Sequence, residues 1–291
     1  MPCHAIAFVQ AWPRHSSRRK VKLLWEKLMK ALREFLSDPS LKTLDVDGPE
    51  RLELHEKVLQ RKRMLREVFI EFHHSFHRLA NRYFKVTGLE IELGAGIAPM
   101  RNSYPEVLAT DIVSSERLDR ALNAEAMDLD EGSVKAFYGQ NCFHHFPHPD
   151  RFFTELQRTL KPGGGAILIE PYHGLFAEFL YKRLFKSEGF DMHFESWETP
   201  STGPMNGANQ ALSYIVFVRD RKVFEVKYPD LEIVHQEVLG NYPRYLISGG
   251  LNFRQLLPDG LVPVIKIAEK LMYPIRRLLA LHHIVVIRRK P

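Results

Sequence analysis

The chain is nearly free of cysteine: Cys3 and Cys142 are its only two in 291 residues, and they form no spacing pattern. That excludes a disulfide framework or a cysteine-rich zinc site, and it fits a reducing compartment, so a cytoplasmic location is expected. No apolar run reaches the roughly 18 residues that a membrane-spanning helix requires. Internal repeats and low-complexity tracts are also missing, which excludes a solenoid. Acid is absent from the first twenty residues, which end in Arg14, Arg18, Arg19 and Lys20. Because the apolar stretch precedes those charges, the order is the reverse of a secretory signal. Residues 1–20 are therefore expected to be a disordered leader. The net charge of +6 admits contact with nucleic acid or an anionic membrane without requiring either.

What is present suits a soluble globular protein, with 45% hydrophobic and 26% charged residues. Val21, Leu24, Trp25, Leu28, Leu32 and Leu36 recur at three- and four-residue steps, predicting an amphipathic helix over 21–36 with basic residues off the stripe. The stripe is expected to pack on the core. After a polar link at 45–49, a second long helix is expected from Pro49 to Tyr83. The two helices make residues 21–87 an N-terminal helical extension, and residues 88–291 the main domain. From Gly88 onward, strands at 89–93, 107–110, 134–140 and 166–170 alternate with helical stretches. One of these is a helix from Asp150 to Leu160 with Phe152, Phe153, Leu156 and Leu160 on one face. Segments 231–238 and 282–289 supply closing strands. The alternation predicts an α/β fold, doubly wound around a mostly parallel sheet. Residues 171–212 break the pattern and are expected to form an insertion over the sheet's carboxyl edge.

The sharpest motif is Glu92-Leu93-Gly94-Ala95-Gly96, set at the carboxyl end of the first strand. A tight turn that a ligand approaches closely favours glycine. A dinucleotide fingerprint would want a third small residue where Pro99 stands, which argues against NAD or FAD. Asp111, at the tip of the next strand, is placed to accept hydrogen bonds from ribose hydroxyls.

In order along the chain come Glu92-Leu93-Gly94-Ala95-Gly96, Thr110-Asp111, Asn141-Cys142-Phe143-His144-His145-Phe146-Pro147, and Phe153 through Leu160-Lys161-Pro162-Gly163-Gly164-Gly165. This series resembles the class I S-adenosylmethionine-dependent methyltransferases of the type 11 kind, over about residues 88–173. The resemblance implies a seven-stranded Rossmann-like sheet and S-adenosyl-L-methionine as cofactor. It implies Glu92, Gly94, Ala95 and Gly96 around the methionine part, Asp111 on the ribose, and Asn141 in the loop closing the site. Asn123-Ala124 falls where the family places an adenine-contacting acid and its neighbour; here an amide replaces the acid. The passage from Gly96 to the next strand is short, so the usual first helix must be short too.

Methyl transfer needs alignment of acceptor, methyl and sulfur, exclusion of water, and a base if the acceptor is a hydroxyl. Candidates beyond the strand ends are His144, His145, Glu170, Tyr172 and His173. His73, His74 and His77, and likewise His144, His145 and His148, lack carboxylates or thiolates at a ligand spacing, so no metal is expected. The run from Glu195 to Gln210, with Trp197 and Asn206, has the aromatic and amide content of a polyol site. A small-molecule acceptor is expected: a glycan, a lipid-linked sugar or a secondary metabolite. Three other readings stand beside it. An RNA methyltransferase would suit the charge, but the fourth-strand motif is not Asn/Asp-Pro-Pro-aromatic and no RNA-binding module is visible. A peripheral membrane protein would use the basic helix and the Lys/Arg-rich C-terminal run. A cofactor-binding protein without catalysis would keep the same glycine turn.

Overall fold

A computed structural model describes residues 14–41, 48, 50–184, 188–200, 203 and 207–291, with side chains from residue 23 onward. Three helices come first: α1 (Arg14–Leu36), α2 (Glu50–Arg61) and α3 (Arg63–Tyr83). Next are β1 (Leu89–Leu93), β2 (Leu108–Asp111), β3 (Arg120–Ala121), β4 (Val134–Gln140), α4 (Pro149–Thr159), β5 (Leu160–Pro171) and α5 (Leu175–Arg183). A single turn, α6 (Leu212–Tyr214), runs through a π-helical stretch into α7 (Arg221–Lys227). The chain ends with β6 (Leu231–Val238), α8 (Tyr242–Ser248), α9 (Val262–Met272), α10 (Arg276–Leu279) and β7 (His282–Arg289).

The strands form one sheet in the order β3-β2-β1-β4-β5-β7-β6. β7 runs antiparallel to both neighbours, and the other pairings are parallel. Period-two alternation on the central strands supplies two apolar faces. Phe137, Ala166, Leu168, Val285 and Ile287 face α4 and the segment 212–228. Tyr138, Ile167, Ile169, Ile284 and Val286 face α3. α3 brings Leu65, Val68, Phe72, Phe76 and Leu79 to that face at helical spacing. The order reverses between β1 and β4, which opens a crevice at their carboxyl ends, where α/β folds bind ligands.

The structure corrects several sequence expectations. α1 begins at Arg14, inside the expected leader; residues 1–13 and, Gly48 apart, the link at 45–49 lie outside the described residues. The α1 stripe does not pack on the core: Leu24, Leu28 and Leu32 are exposed and only Met29 is buried. α1 joins the rest near its end, through a Ser37–Phe253 bridge and Arg254 N–H donating to Leu36 O at 2.6 Å, which leaves the stripe without a partner surface among the described residues. The expected second helix is two helices, because the buried Lys62 breaks it with non-helical φ, ψ of −104°, 86°. Its ammonium donates to the carbonyls of Gly250 (2.8 Å) and Phe253. β5 starts at Leu160 rather than 166, since Leu160 already pairs with Val134 ahead of the glycine bulge.

Candidate active site

The carboxyl ends of β1, β2 and β4 open into a cavity of about 600 Å³. Its floor is the turn after β1, where Gly94 and Gly96 adopt φ of 61° and 56°. A Cβ on Gly94 would sit 2.7 Å from Cys142 Cβ, so this strand end accepts only glycine without movement. Gly96 N–H donates to Asp111 Oδ2 at 3.0 Å, and Asp111 Oδ1 accepts from Val113 N–H at 3.1 Å. Beyond Gly96 a single 3-10 turn, Pro99–Asn102, stands for the first helix, as its short span implied.

Glu92 is 4% exposed, and no described donor reaches its carboxylate. Burial, with the charge of Asp111 nearby, pushes its carboxyl up to about 8. Asn141 has φ of 51°, and its Oδ1, like Oε1 of Gln140, is buried without a described partner. Both residues line the cavity, so unsatisfied acceptors and an uncompensated carboxylate converge on one space. That combination fits a ligand carrying donors and positive charge. Asn123 and Ala124 also line it, but Asn123 Oδ1 already accepts from Glu125 N–H at 2.9 Å, which leaves its amide nitrogen as the freer group.

Glu170 does not reach the cavity. It is fully buried, and it accepts from the backbone N–H of Cys142 (3.0 Å), Phe143 (2.9 Å) and His144 (3.3 Å) and from His144 Nδ1 at 2.6 Å. It therefore shapes the loop after β4 and is no acceptor base. His144 Nε2 lies 3.1 Å from Glu188 Oε2. Burial alone would lower the His144 pKa; the carboxylates of Glu170 and Glu188 outweigh it and raise it to about 10. His145, half-buried beside it, lies 3.8 Å from Glu188 Oε1. His173 and Tyr172 are corrected as well: both stand outside the cavity, with the His173 ring packed at a tilt between Tyr172 and Tyr214 at 4.5 and 4.6 Å.

Trp197, the aromatic of the polyol reading, does not line the cavity, whereas Gly203 and Gln210 of the same run do. Trp197 is buried, donates to Asp220 Oδ2 at 2.9 Å and packs edge-on to Phe153. Asn209 closes its own loop through Asp191 and Ala211, and Asn206 lies outside the described residues. Of the two histidine groups, His74 and His77 pack on Tyr104 and His148 pairs with Glu198 at 3.3 Å. Residues that sequence reasoning missed are Arg51, His55, Tyr181, Glu188 and Tyr245, all on the cavity wall. None carries a motif; each arrives from an element distant in sequence.

The sheet order, with β7 antiparallel and the glycine turn at the switch point, defines the class I methyltransferase fold. Residues 74–168, from within α3 to β5, match the type 11 family described as "Methyltransferase domain". Over those residues the chain is similar to the S-adenosylmethionine-dependent methyltransferases of the type 11 kind. None of the curated proteins matches it. Among solved structures it is similar to geranyl diphosphate C-methyltransferase of Streptomyces coelicolor A3(2), at 12% identity over 88% of this chain and 89% of that one, TM-score 0.44. It is also similar to phosphoethanolamine N-methyltransferase 2 of Haemonchus contortus, at 15% identity over 82% of this chain and 56% of that one, TM-score 0.44.

Proposed function

We propose that the chain methylates a small molecule held in the same cavity as the cofactor. The observation that carries this reading is the lining of that cavity beyond the strand ends. Leu52 and His55 of α2, Tyr181 of α5, and Glu188 and Gln210 of the segment after α5 wall it in beyond the strand ends. A space of about 600 Å³ with such walls suits a small ligand better than a nucleic-acid strand. Residues 171–212 then act as the acceptor lid.

Bound there, S-adenosylmethionine supplies a methyl group on a sulfonium, a good leaving group. Glu92 offers a buried carboxyl that ionises against the cofactor's cationic methionine end once that end is held beside it. Asp111 accepts from the ribose hydroxyls while its other contacts fix the glycine turn. Asn141 and Gln140 offer acceptor oxygens, and Asn123 its amide. Hydrophobic walls exclude water and keep the acceptor in line. His144 is locked between Glu170 and Glu188, so it is not the base for a hydroxyl acceptor.

The test is calorimetric titration with S-adenosylmethionine and S-adenosylhomocysteine, with NAD as control. Micromolar binding of both sulfur ligands, weakened at least tenfold by Asp111→Ala, is expected. Absence of binding, or a preference for NAD, overturns the assignment.

A second reading rests on exposed apolar side chains flanked by cations. α1 exposes Leu24, Leu28 and Leu32 beside Lys27, and α9–α10 expose Ile267, Leu271 and Leu278 beside Lys270 and Arg277. Among the described residues no helix is long and apolar enough to cross a membrane. Such faces suit the interfacial region of an anionic bilayer. Flotation with anionic vesicles is expected to carry the protein, and Leu28→Glu with Leu271→Glu to abolish it; self-association without flotation overturns the reading.

A further inference from the structure

Two consecutive histidines and one distant glutamate meet on the cavity wall. His144 and His145 lie on the one-turn helix after β4, and Glu188 comes from the segment after α5. One donor atom from each lies within 4.8 Å of the others, and all three residues line the cavity. The individual separations are 3.1 Å from His144 Nε2 to Glu188 Oε2 and 3.8 Å from His145 Nε2 to Glu188 Oε1. Donors on a tetrahedron about 2.0–2.1 Å from a zinc-sized ion stand about 3.3 Å apart, so the observed spacing brackets that value.

The surroundings support the same reading. Glu170 accepts the Nδ1 proton of His144 at 2.6 Å, which turns Nε2 toward Glu188. A carboxylate behind a histidine whose far nitrogen faces an acid is the arrangement that orients metal-ligating imidazoles. With neutral imidazoles, Glu170 and Glu188 together carry two negative charges, which a divalent cation balances. The one Arg or Lys among the described cavity-lining residues is Arg51, on α2.

We propose that His144, His145 and Glu188 hold a divalent transition-metal ion, with its open positions toward the acceptor. Two imidazoles and one carboxylate suit zinc, cobalt, iron or manganese rather than magnesium or calcium. On binding, the ion replaces the proton shared between His144 Nε2 and Glu188, and that proton leaves to solvent. The acceptor class is then one bearing an oxygen anion, such as a phosphate or carboxylate, ligated at the open positions. This inference rests on the acceptor cavity proposed above.

Cobalt(II) reports the site directly. The chelator-treated protein, titrated with cobalt chloride, is expected to develop visible d–d bands of a low-coordinate ion with one equivalent bound. Glu188→Gln and His145→Gln, checked for folding by circular dichroism, are expected to weaken binding at least tenfold. Inorganic phosphate added to the cobalt-loaded protein is expected to shift the bands by entering an open position. Absence of bands, or bands unchanged in both variants, overturns the site; bands insensitive to phosphate overturn its open coordination. S-adenosylhomocysteine titrated into the same metal-free sample keeps the two readings apart. Binding of that ligand without cobalt binding overturns the metal site alone.

Discussion

At the residue scale, Glu92 and Gly94 carry opposite kinds of constraint. Glu92 titrates near 8 in the fold, against the ordinary 4.5 of a glutamate in water. The folded pKa is raised, so its stabilising contribution is complete below about 4.5 and is lost as pH rises toward 8. The cofactor-free protein therefore loses up to ~1.4 kcal/mol per pH unit across that window from this group. Glu92→Gln is expected to flatten the loss in thermal melts between pH 5 and 8, and to weaken S-adenosylmethionine binding tenfold or more. An unchanged melting profile would remove Glu92 as the source. Gly94→Ala meets both a 2.7 Å contact with Cys142 and left-handed backbone, whereas Gly96→Ala meets only the backbone strain, its nearest neighbour being Leu52 at 3.8 Å. Urea unfolding is expected to show a loss of roughly 2–4 kcal/mol for the first and ~1–2 kcal/mol for the second. The glycine turn and Asp111 are legible in the sequence because their signal is local: a strand, a turn and an acid at fixed spacing. Glu188 is not, because it becomes a neighbour of His144 only once α5 has folded back over the strand ends.

At the element scale, the β-strands are readable from runs such as VKAFYGQ and HHIVVIRR, whose apolar side chains must fill both faces of a buried sheet. The break between α2 and α3 is not readable, since lysine inside a helical pattern looks like a solvated position. It is set by tertiary hydrogen bonds from Lys62 to the carbonyls of Gly250 and Phe253, in and beside the loop that closes the cavity. Burial lowers the Lys62 pKa to about 8, and the nearby Asp38 opposes that shift. Lys62→Met removes the ammonium donor from those carbonyls, at a cost of about 1–3 kcal/mol. Faster amide exchange across 249–254 and weaker cofactor binding are the expected readouts; exchange unchanged from the parent protein would show that the loop holds itself. Trp197 teaches the converse. An aromatic in a polar loop looks available for stacking, but α4 and α7 give it a core to fill.

At the scale of the whole molecule, the doubly wound sheet is implied by the alternation of strands and helices, whereas the pH behaviour depends on how that sheet is covered. His73 on α3 and His282 and His283 on β7 are buried, and burial lowers their pKa values to about 4, 3 and 3. A histidine with a depressed folded pKa stabilises fully above its unfolded pKa, near 6.5, and that contribution is lost as pH falls toward the folded value. The three act together between about pH 6.5 and 4, so acid should destabilise the protein progressively across that range. Glu92 works in the opposite direction across part of this window, but it is one group against these three and the buried His55, whose pKa is also lowered to about 4. His73 isolates the effect, because neither ring nitrogen has a described partner and its removal breaks no described hydrogen bond. Its protonation in the unfolded chain costs about 2 kcal/mol of stability on going from pH 7.5 to 5.0. His73→Leu, which keeps an apolar group of similar reach against the sheet, should recover that amount at pH 5.0 while changing stability little at pH 7.5. Urea titrations of the two proteins at both pH values give the difference directly. Equal acid sensitivity in parent and variant would place the acid-labile group elsewhere in the fold.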